Sequence, residues 1–354
     1  MDSSLQHSDI MLWCLVDSFE KVINVALTVS VIIPVFNMES MIRTTLDDRV
    51  HQKNVDMEIL AIDDGSTDGS PGMIASILRN YHGPYSLLTL GENQGASNAR
   101  NTGIDASSGK FVFFIDGGDR MSEGTLDKLV ALAENNGADF AFSGFRVCGP
   151  DLQGGKVYSL KGSKDSFYDP GEVLHYYLSG KRFVNASNAL YSRGFLNTYG
   201  IRLPRGCRFA EGREFIVKAL FHAKRAAFTS EPLVSYIQHP KQTTNRPGTS
   251  INKYANAVGI YLRLGKYLKN IGAEEKITKL IDKYELPNAI LKMATEIAKN
   301  GELPKFQKVI NSSFIRQAIR PGCKTLLKKP EIAFRSWQAL HAPGLLFKSY
   351  KGKE

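Results

Sequence analysis

Lys110-Phe-Val-Phe-Phe-Ile115 runs directly into Asp116-Gly117-Gly118-Asp119. An apolar run of this length reads as a buried strand, and the acidic residues that end it fall at the carboxyl edge of a sheet, where α/β proteins bind ligands. Two aspartates there could hold a divalent cation and, through it, a phosphate.

Strands and helices alternate outward from this point. Val29–Pro34 is a β-branched strand stopped by proline, and Met57–Ile62 a second strand ending in the polar loop Asp63–Ser70. Ser86–Leu90, Lys110–Ile115 and Ala138–Ser143 continue the series. Helical patterns separate them over 39–50, near 71–81, over 94–106 and over 122–136, the last with Ser122 as its expected N-cap. This order predicts an α/β fold with a mostly parallel sheet covered on both faces. The pattern loosens between Gly149 and Gly180, where a lid or excursion is expected. Strands near 186–191 and 226–238 flank a helix near 211–222. From Ile251 the chain is mostly helical, with Pro287, Pro304, Pro321, Pro330 and Pro343 expected as breaks.

The chain has 354 residues, 43% of them apolar and 23% charged, which supports a substantial core and excludes a disordered chain. The net charge of +10 implies an anionic partner. Residues 301–354 carry eleven Lys/Arg against three Asp/Glu, so the tail holds most of the excess. Phe334, Trp337, Leu340, Leu345, Leu346 and Phe347 stand among those cations. That mixture suits an anionic membrane surface, and it equally suits a terminal helix packed on the body with a solvated basic face. No nucleic-acid module accompanies the charge, so nucleic acid is not an expected partner. The four cysteines form no CxxC pair, which excludes a zinc site and a disulfide framework and points to a reducing, cytoplasmic compartment. No apolar run reaches the length of a membrane span, and Ile10–Val16 lacks the basic flank of a signal peptide.

Four segments then occur in order: Val29-Ser-Val-Ile-Ile-Pro-Val-Phe-Asn37 with Glu39; Asp63-Asp-Gly-Ser-Thr-Asp68; Asn93-Gln-Gly-Ala-Ser-Asn-Ala-Arg-Asn101 with Gly103; and Phe113-Phe-Ile-Asp116. Together they resemble family 2 glycosyltransferases of the GT-A (Rossmann-like) type. The match covers about residues 28–145 and continues more loosely through Asn188–Arg193 and Glu211 to Tyr236. It implies a GT-A domain at 28–245, with a nucleotide half at 28–145 and an acceptor half at 146–245. An N-terminal extension (1–27) and a helical basic region (246–354) flank it.

The resemblance implies an inverting transfer from a nucleotide-diphosphate sugar, UDP-linked by expectation, to a saccharide or lipid-linked acceptor, at the inner face of a membrane. Pro34, Phe36 and Glu39 are expected to line the nucleotide pocket, Asp63 to face the base, Asp116 the ribose or metal, and Arg100 to steady the nucleotide. The expected cofactor is Mn²⁺ or Mg²⁺, with Asp116, Asp119 and His239 as its candidate ligands. Lys181-Arg182 is a further candidate for phosphate contact.

Two positions depart from the family pattern. Gly118 stands where relatives carry a metal-binding acid, and Gly212, in Phe209-Ala-Glu211-Gly212-Arg-Glu214, stands where they carry the general base. Glu211 is the remaining candidate near the acceptor, and Glu214 lies three residues on. A general base contributes about 10² to 10⁴ in rate, and a metal on the phosphoryl oxygens several kcal/mol. The alternative to an enzyme is therefore an impaired homologue that binds a nucleotide, an acceptor or a partner glycosyltransferase. A membrane adaptor working through the tail is a third reading.

Overall fold

The computed structural model describes residues 27–50, 52, 54–160, 166–181, 183–207, 209–238, 249–325 and 327–351. Strands β1 (Val29–Val35), β2 (Met57–Asp63), β3 (Tyr85–Thr89) and β4 (Phe111–Phe114) alternate with helices α1 (Ile42–Val50), α2 (Ser70–Leu78) and α3 (Ala96–Ala106). Next come β5 (Arg120–Met121), α4 (Thr125–Asn135), β6 (Phe140–Cys148), β7 (Lys156–Tyr158), β8 (Ser166–Tyr168) and α5 (Pro170–Leu178). β9 (Ala189–Ser192), α6 (Arg193–Thr198), α7 (Glu211–His222) and β10 (Ala226–Ile237) complete the sheet layer. The helical remainder comprises α8 (Thr249–Asn270), α9 (Glu275–Leu280), α10 (Leu286–Lys299), α11 (Leu303–Asn311), α12 (Ser313–Ile319), α13 (Pro330–His341) and α14 (Pro343–Tyr350).

The sheet runs β3-β2-β1-β4-β9-β6-β10-β5, with β7 beside β6 and β8 beside β10. β1 to β4 pair in parallel, as do β6 and β10. β9 inserts antiparallel between β4 and β6, and β5, β7 and β8 are antiparallel as well. The parallel pattern is therefore confined to the first half and one later pair. The segment expected as a lid instead supplies two edge strands and α5.

Alternation along β1 sends Val31, Ile33 and Val35 to one face and Ile32 to the other, because successive side chains of a strand point to opposite sides. The first face packs Ile42 and Leu46 of α1, Ile74 and Leu78 of α2, and Leu126 and Leu129 of α4. The second packs α3 and α7, and it continues without a break into Ile260, Leu264, Ile290, Phe306 and Leu346 of the C-terminal helices. Each fully buried side chain of this size contributes roughly 1.5–3 kcal/mol. Gly103 lets α3 approach β1 closely, since a Cβ there would lie 2.3 Å from Ile32 Cγ2.

Several local expectations shift for identifiable reasons. Ser122 does not cap α4. Its N–H goes to the Leu233 carbonyl and its own carbonyl accepts from Thr125, so the cap position falls to Gly124 in the left-handed region. The prolines expected as breaks at 304, 330 and 343 sit in the first turns of α11, α13 and α14, where a missing N–H costs nothing. Pro287 lies inside a helix that runs from α9 into α10. It has no N–H for the Lys283 carbonyl, and a π turn at Ile281–Glu285 accommodates the gap.

Candidate active site

The carboxyl ends of β1, β2 and β4 open into a cleft of about 890 Å³, closed on the far side by the start of α7 and by Tyr177 of α5. That volume suits a nucleotide-sized ligand.

Its rim is built by two loops clamped to each other. The Asn37 N–H donates to Ser66 Oγ (3.0 Å), and Asn37 Oδ1 accepts from the Thr67 N–H (2.8 Å). The Met38 N–H donates to Ser70 Oγ (2.7 Å). Glu39 N–H donates to Asp68, and Glu39 Oε2 accepts from the Gly69 N–H (3.0 Å). This clamp holds Asn37 at φ +53. The polar residues of the first two motifs thus fix the rim. Pro34 and Phe36 line the cleft, whereas Glu39 spends its carboxylate on the clamp and does not line it.

Asp63 and Asp64 are both buried, but they face differently. Asp63 turns back to the Ser66 N–H (3.2 Å) and is not a lining residue. Asp64 lines the cleft and accepts from the N–H groups of Gln94 (2.9 Å) and Gly95 (2.8 Å), which seats the loop that starts α3.

One turn into α3, Arg100 reaches the centre. Its guanidinium is almost wholly buried; it pairs with Asp116 and, at 3.3 Å, with Glu211 at the start of α7. Burial works against the cation, but the two carboxylates outweigh it and hold the guanidinium above its usual value. Asp116 remains partly exposed and faces the cleft. Arg100 engages Oε1 of Glu211, and Glu211 lines the cleft.

The Asp116–Asp119 turn explains one departure. Gly118 adopts φ +97, which L side chains rarely enter, while its N–H donates to Thr45 Oγ1 (2.6 Å). Gly118 is therefore a conformational requirement of the turn as well as a missing acid. Asp119 is buried at the cleft wall, and its Oδ1 accepts from the Ile237 N–H (3.0 Å) at the end of β10. β10 bends at the register shifts around Pro232 and reaches β5 beyond them.

The second departure is different in kind. Gly212 lines the cleft in the first turn of α7, and a Cβ there would meet nothing nearer than Ala186 Cβ at 3.7 Å. A side chain would fit, but none is present. Glu214 does not substitute. It is buried away from the cleft and holds Lys218 (2.9 Å) and Arg263 (2.8 Å).

Sequence reading missed Arg213, which also lines the cleft. Its Nη1 donates to Tyr261 Oη (2.5 Å) and lies 4.0 Å from Glu285 in the π turn. Burial pushes the neighbouring Tyr177 hydroxyl up to about 12, with Arg213 opposing and Glu285 adding to the shift, so Tyr177 stays protonated. Nothing in the local sequence marks Arg213, because the residues that place it lie some fifty and seventy positions downstream.

His239 and Arg182 lie outside the described residues. Lys181 stands over the Tyr176 ring, 5.8 Å from its centroid, and does not line the cleft. Among the described residues no group of three His, Cys, Asp or Glu forms a metal cage. The donors that do line the cleft are hard carboxylate oxygens. Five carboxylates (Asp64, Asp68, Asp116, Asp119, Glu211) face two guanidinium groups (Arg100, Arg213). This set fits a Mg²⁺-like ion that one or two carboxylates share with substrate phosphates, and it does not fit a resident all-protein site.

Residues 30–200 match the family described as Glycosyl transferase family 2. Among curated proteins, the uncharacterized glycosyltransferase EpsJ of Bacillus subtilis is 26% identical over 82% of this chain and 86% of its own length. The GalNAc(5)-diNAcBac-PP-undecaprenol beta-1,3-glucosyltransferase of Campylobacter jejuni is 27% identical over 76% and 82%. Among solved structures, S. aureus TarS in complex with UDP-GlcNAc superposes with a TM-score of 0.70 at 18% identity, covering 92% of this chain and 91% of that one. The mannosyltransferase PcManGT from Pyrobaculum calidifontis, in complex with GDP-Man and Mn²⁺, gives 0.54 at 18%, covering 96% and 93%. Residues 30–200 are thus a family 2 glycosyltransferase domain, in a chain that shares the GT-A fold.

Proposed function

We propose that the cleft binds a nucleotide-diphosphate sugar, UDP-linked, and transfers its sugar to a saccharide or lipid-linked acceptor with inversion. The observation that carries this reading is the Asp116–Arg100–Glu211 cluster, which joins the ends of β4, α3 and α7 at the base of the cleft. Its nucleotide half comprises residues 28–145 and its acceptor half 146–245. Pro34 and Phe36 offer apolar walls to the base, and Asp116 an acceptor to a ribose hydroxyl. Asp64, rather than Asp63, is the acid of that pair that lines the cleft. The curated Campylobacter relative is named for a lipid-linked acceptor, and work at the cytoplasmic face of a membrane goes with such an acceptor.

The acidic lining opposes a diphosphate, and Asp116 and Asp119 are the residues that would hold a Mg²⁺ or Mn²⁺ ion brought in with the substrate. When bound, it neutralises charge on the departing diphosphate. The acceptor oxygen attacks the anomeric carbon as the bond to the diphosphate breaks, and the diphosphate leaves with the electron pair. The hydroxyl proton passes to the Glu211 carboxylate, which lines the cleft beside Arg100. Arg100 holds the Glu211 carboxylate in place.

A second reading is favoured by Gly212. The position that faces the acceptor has room for a side chain and carries none. A protein that binds nucleotide without turning it over is consistent with that gap. UDP-sugar hydrolysis and transfer in Mn²⁺ separate the two, measured for the wild type, Glu211→Gln and Gly212→Asp. Wild-type turnover that falls by about 10² or more in Glu211→Gln supports the enzyme. Turnover that appears only in Gly212→Asp supports the non-catalytic reading.

A further inference from the structure

Half of the exposed large apolar side chains among the described residues fall in one stretch of the C-terminal helices: Leu303, Phe314, Leu327, Phe334, Trp337 and Leu345. On α13, Phe334, Trp337 and His341 are spaced three and four residues apart and so share one face. Ala333, Ser336 and Leu340 form the buried stripe beside it. Phe334 is 59% exposed and Trp337 50%. The next helix, α14, begins after one intervening residue; Leu345 in its first turn is 59% exposed, and exposed Lys348 follows three positions on. Lys328 and Lys329 are exposed at the other end of α13, and Lys351 is exposed after α14. The acid of α13, Glu331, lies 3.7 Å from Arg335 on the same helix. The apolar side chains are therefore flanked by lysines at both ends.

We propose that this face of α13 and α14 docks on an anionic phospholipid surface. Phe334, Trp337 and Leu345 enter the boundary between headgroups and acyl chains, and Lys328, Lys348 and Lys351 pair with anionic headgroups. Aromatic rings with a polar edge suit that boundary, and lysine stems bury their methylenes while the ammonium stays wet. The surplus of eight positive charges in residues 301–354 argues against a second copy of the chain as the occupant, since it would bring the same lysines against these. No helix among the described residues is long and apolar enough to cross a membrane, so the contact is with the surface. The surface owes nothing to the cleft chemistry, and loss of catalysis leaves it standing.

The test is co-sedimentation of the full chain with vesicles of phosphatidylcholine alone and of phosphatidylcholine mixed with phosphatidylglycerol. Binding is expected only to the anionic vesicles and is expected to weaken with salt. Phe334→Ser with Trp337→Ser abolishes it. Lys328→Gln and Lys348→Gln each weaken it about fivefold. In a Trp13→Phe background, Trp337 emission shifts to the blue on adding anionic vesicles. Binding that is absent, that is equal on neutral vesicles, or that survives the Phe334/Trp337 change overturns the proposal. So does a wild-type dimer that the same change converts to monomer, because the occupant would then be a second copy. The lysine variants alter only exposed flexible side chains and keep the test open should the aromatic pair prove needed for folding.

Discussion

Arg100 and Glu211 stand 111 positions apart in the chain and 3.3 Å apart in space, and Asp116 binds the same guanidinium from the end of β4. One buried cation therefore ties together the end of β4, α3 and the start of α7. A lone buried cation is costly, and so are two carboxylates left facing each other without it.

Arg100→Ala is expected to destabilise the protein by about 3 kcal/mol, because both carboxylates lose their partner at once. Arg100→Lys is expected to recover only part of this, since an ammonium cannot fork to two acids in the same geometry. Urea denaturation of the three proteins checks the order, and UDP titration is expected to weaken about tenfold or more in the alanine variant.

Gly118 and Gly212 are expected to respond differently to the same substitution. Gly118→Asp forces a side chain into φ +97 and is expected to cost about 1–2 kcal/mol. Gly212→Asp enters open space in the first turn of α7, where a negative charge is favourable, and is expected to stay within about 0.5 kcal/mol of wild type. Parallel thermal melts decide it. Equal losses at both sites would show that backbone conformation is not what sets Gly118 apart.

Mn²⁺ is expected to tighten UDP binding, because five carboxylates and two guanidinium groups line the cleft that receives the diphosphate. Asp116→Asn is expected to remove most of that enhancement and to weaken metal-free binding as well, through the ribose contact and the Arg100 pair. Calorimetric titration with Mn²⁺ and with EDTA reads both quantities.

Arg213 is held from the C-terminal helices by Tyr261 Oη and Glu285. Glu285→Gln keeps the side-chain shape and removes the charge. It is expected to cost about 1–3 kcal/mol in stability, read by urea denaturation.

His222 packs on Tyr199 and bonds Tyr267, and burial, with Lys218 nearby, lowers its pKa below the usual value. The folded state therefore binds its proton less readily than the unfolded state. Stability is expected to fall as pH drops through about 6.5 toward the lower folded value, with no further loss from this group beneath it. His222→Gln is expected to flatten the stability profile in that window, as read by denaturation at stepped pH.

The strand–helix series at residues 29–148 was legible because its determinants are local. Apolar runs ending in Pro34, Asp63 and Asp116 carry both the periodicity and the edge at which ligands gather. The same local signal placed Ser122 as a cap and several prolines as breaks. It could not see that the Leu233 carbonyl claims the Ser122 N–H, or that the helix continues through Pro287 by way of a π turn.

By itself the sequence determined the α/β series, the four ordered motifs and the two glycines at acidic positions, because each depends on residue type and spacing along the chain. Tertiary structure decided what those residues do. It gave the Glu39 carboxylate to a loop clamp, turned Asp64 rather than Asp63 toward the cleft, and set Arg100 between two acids from distant segments. It also made Gly118 a requirement of a left-handed turn, left Gly212 as open space, and brought Glu285 under Arg213. Those outcomes depend on which backbone groups and charges meet across separations of 30 to 111 residues, and no local pattern encodes such meetings.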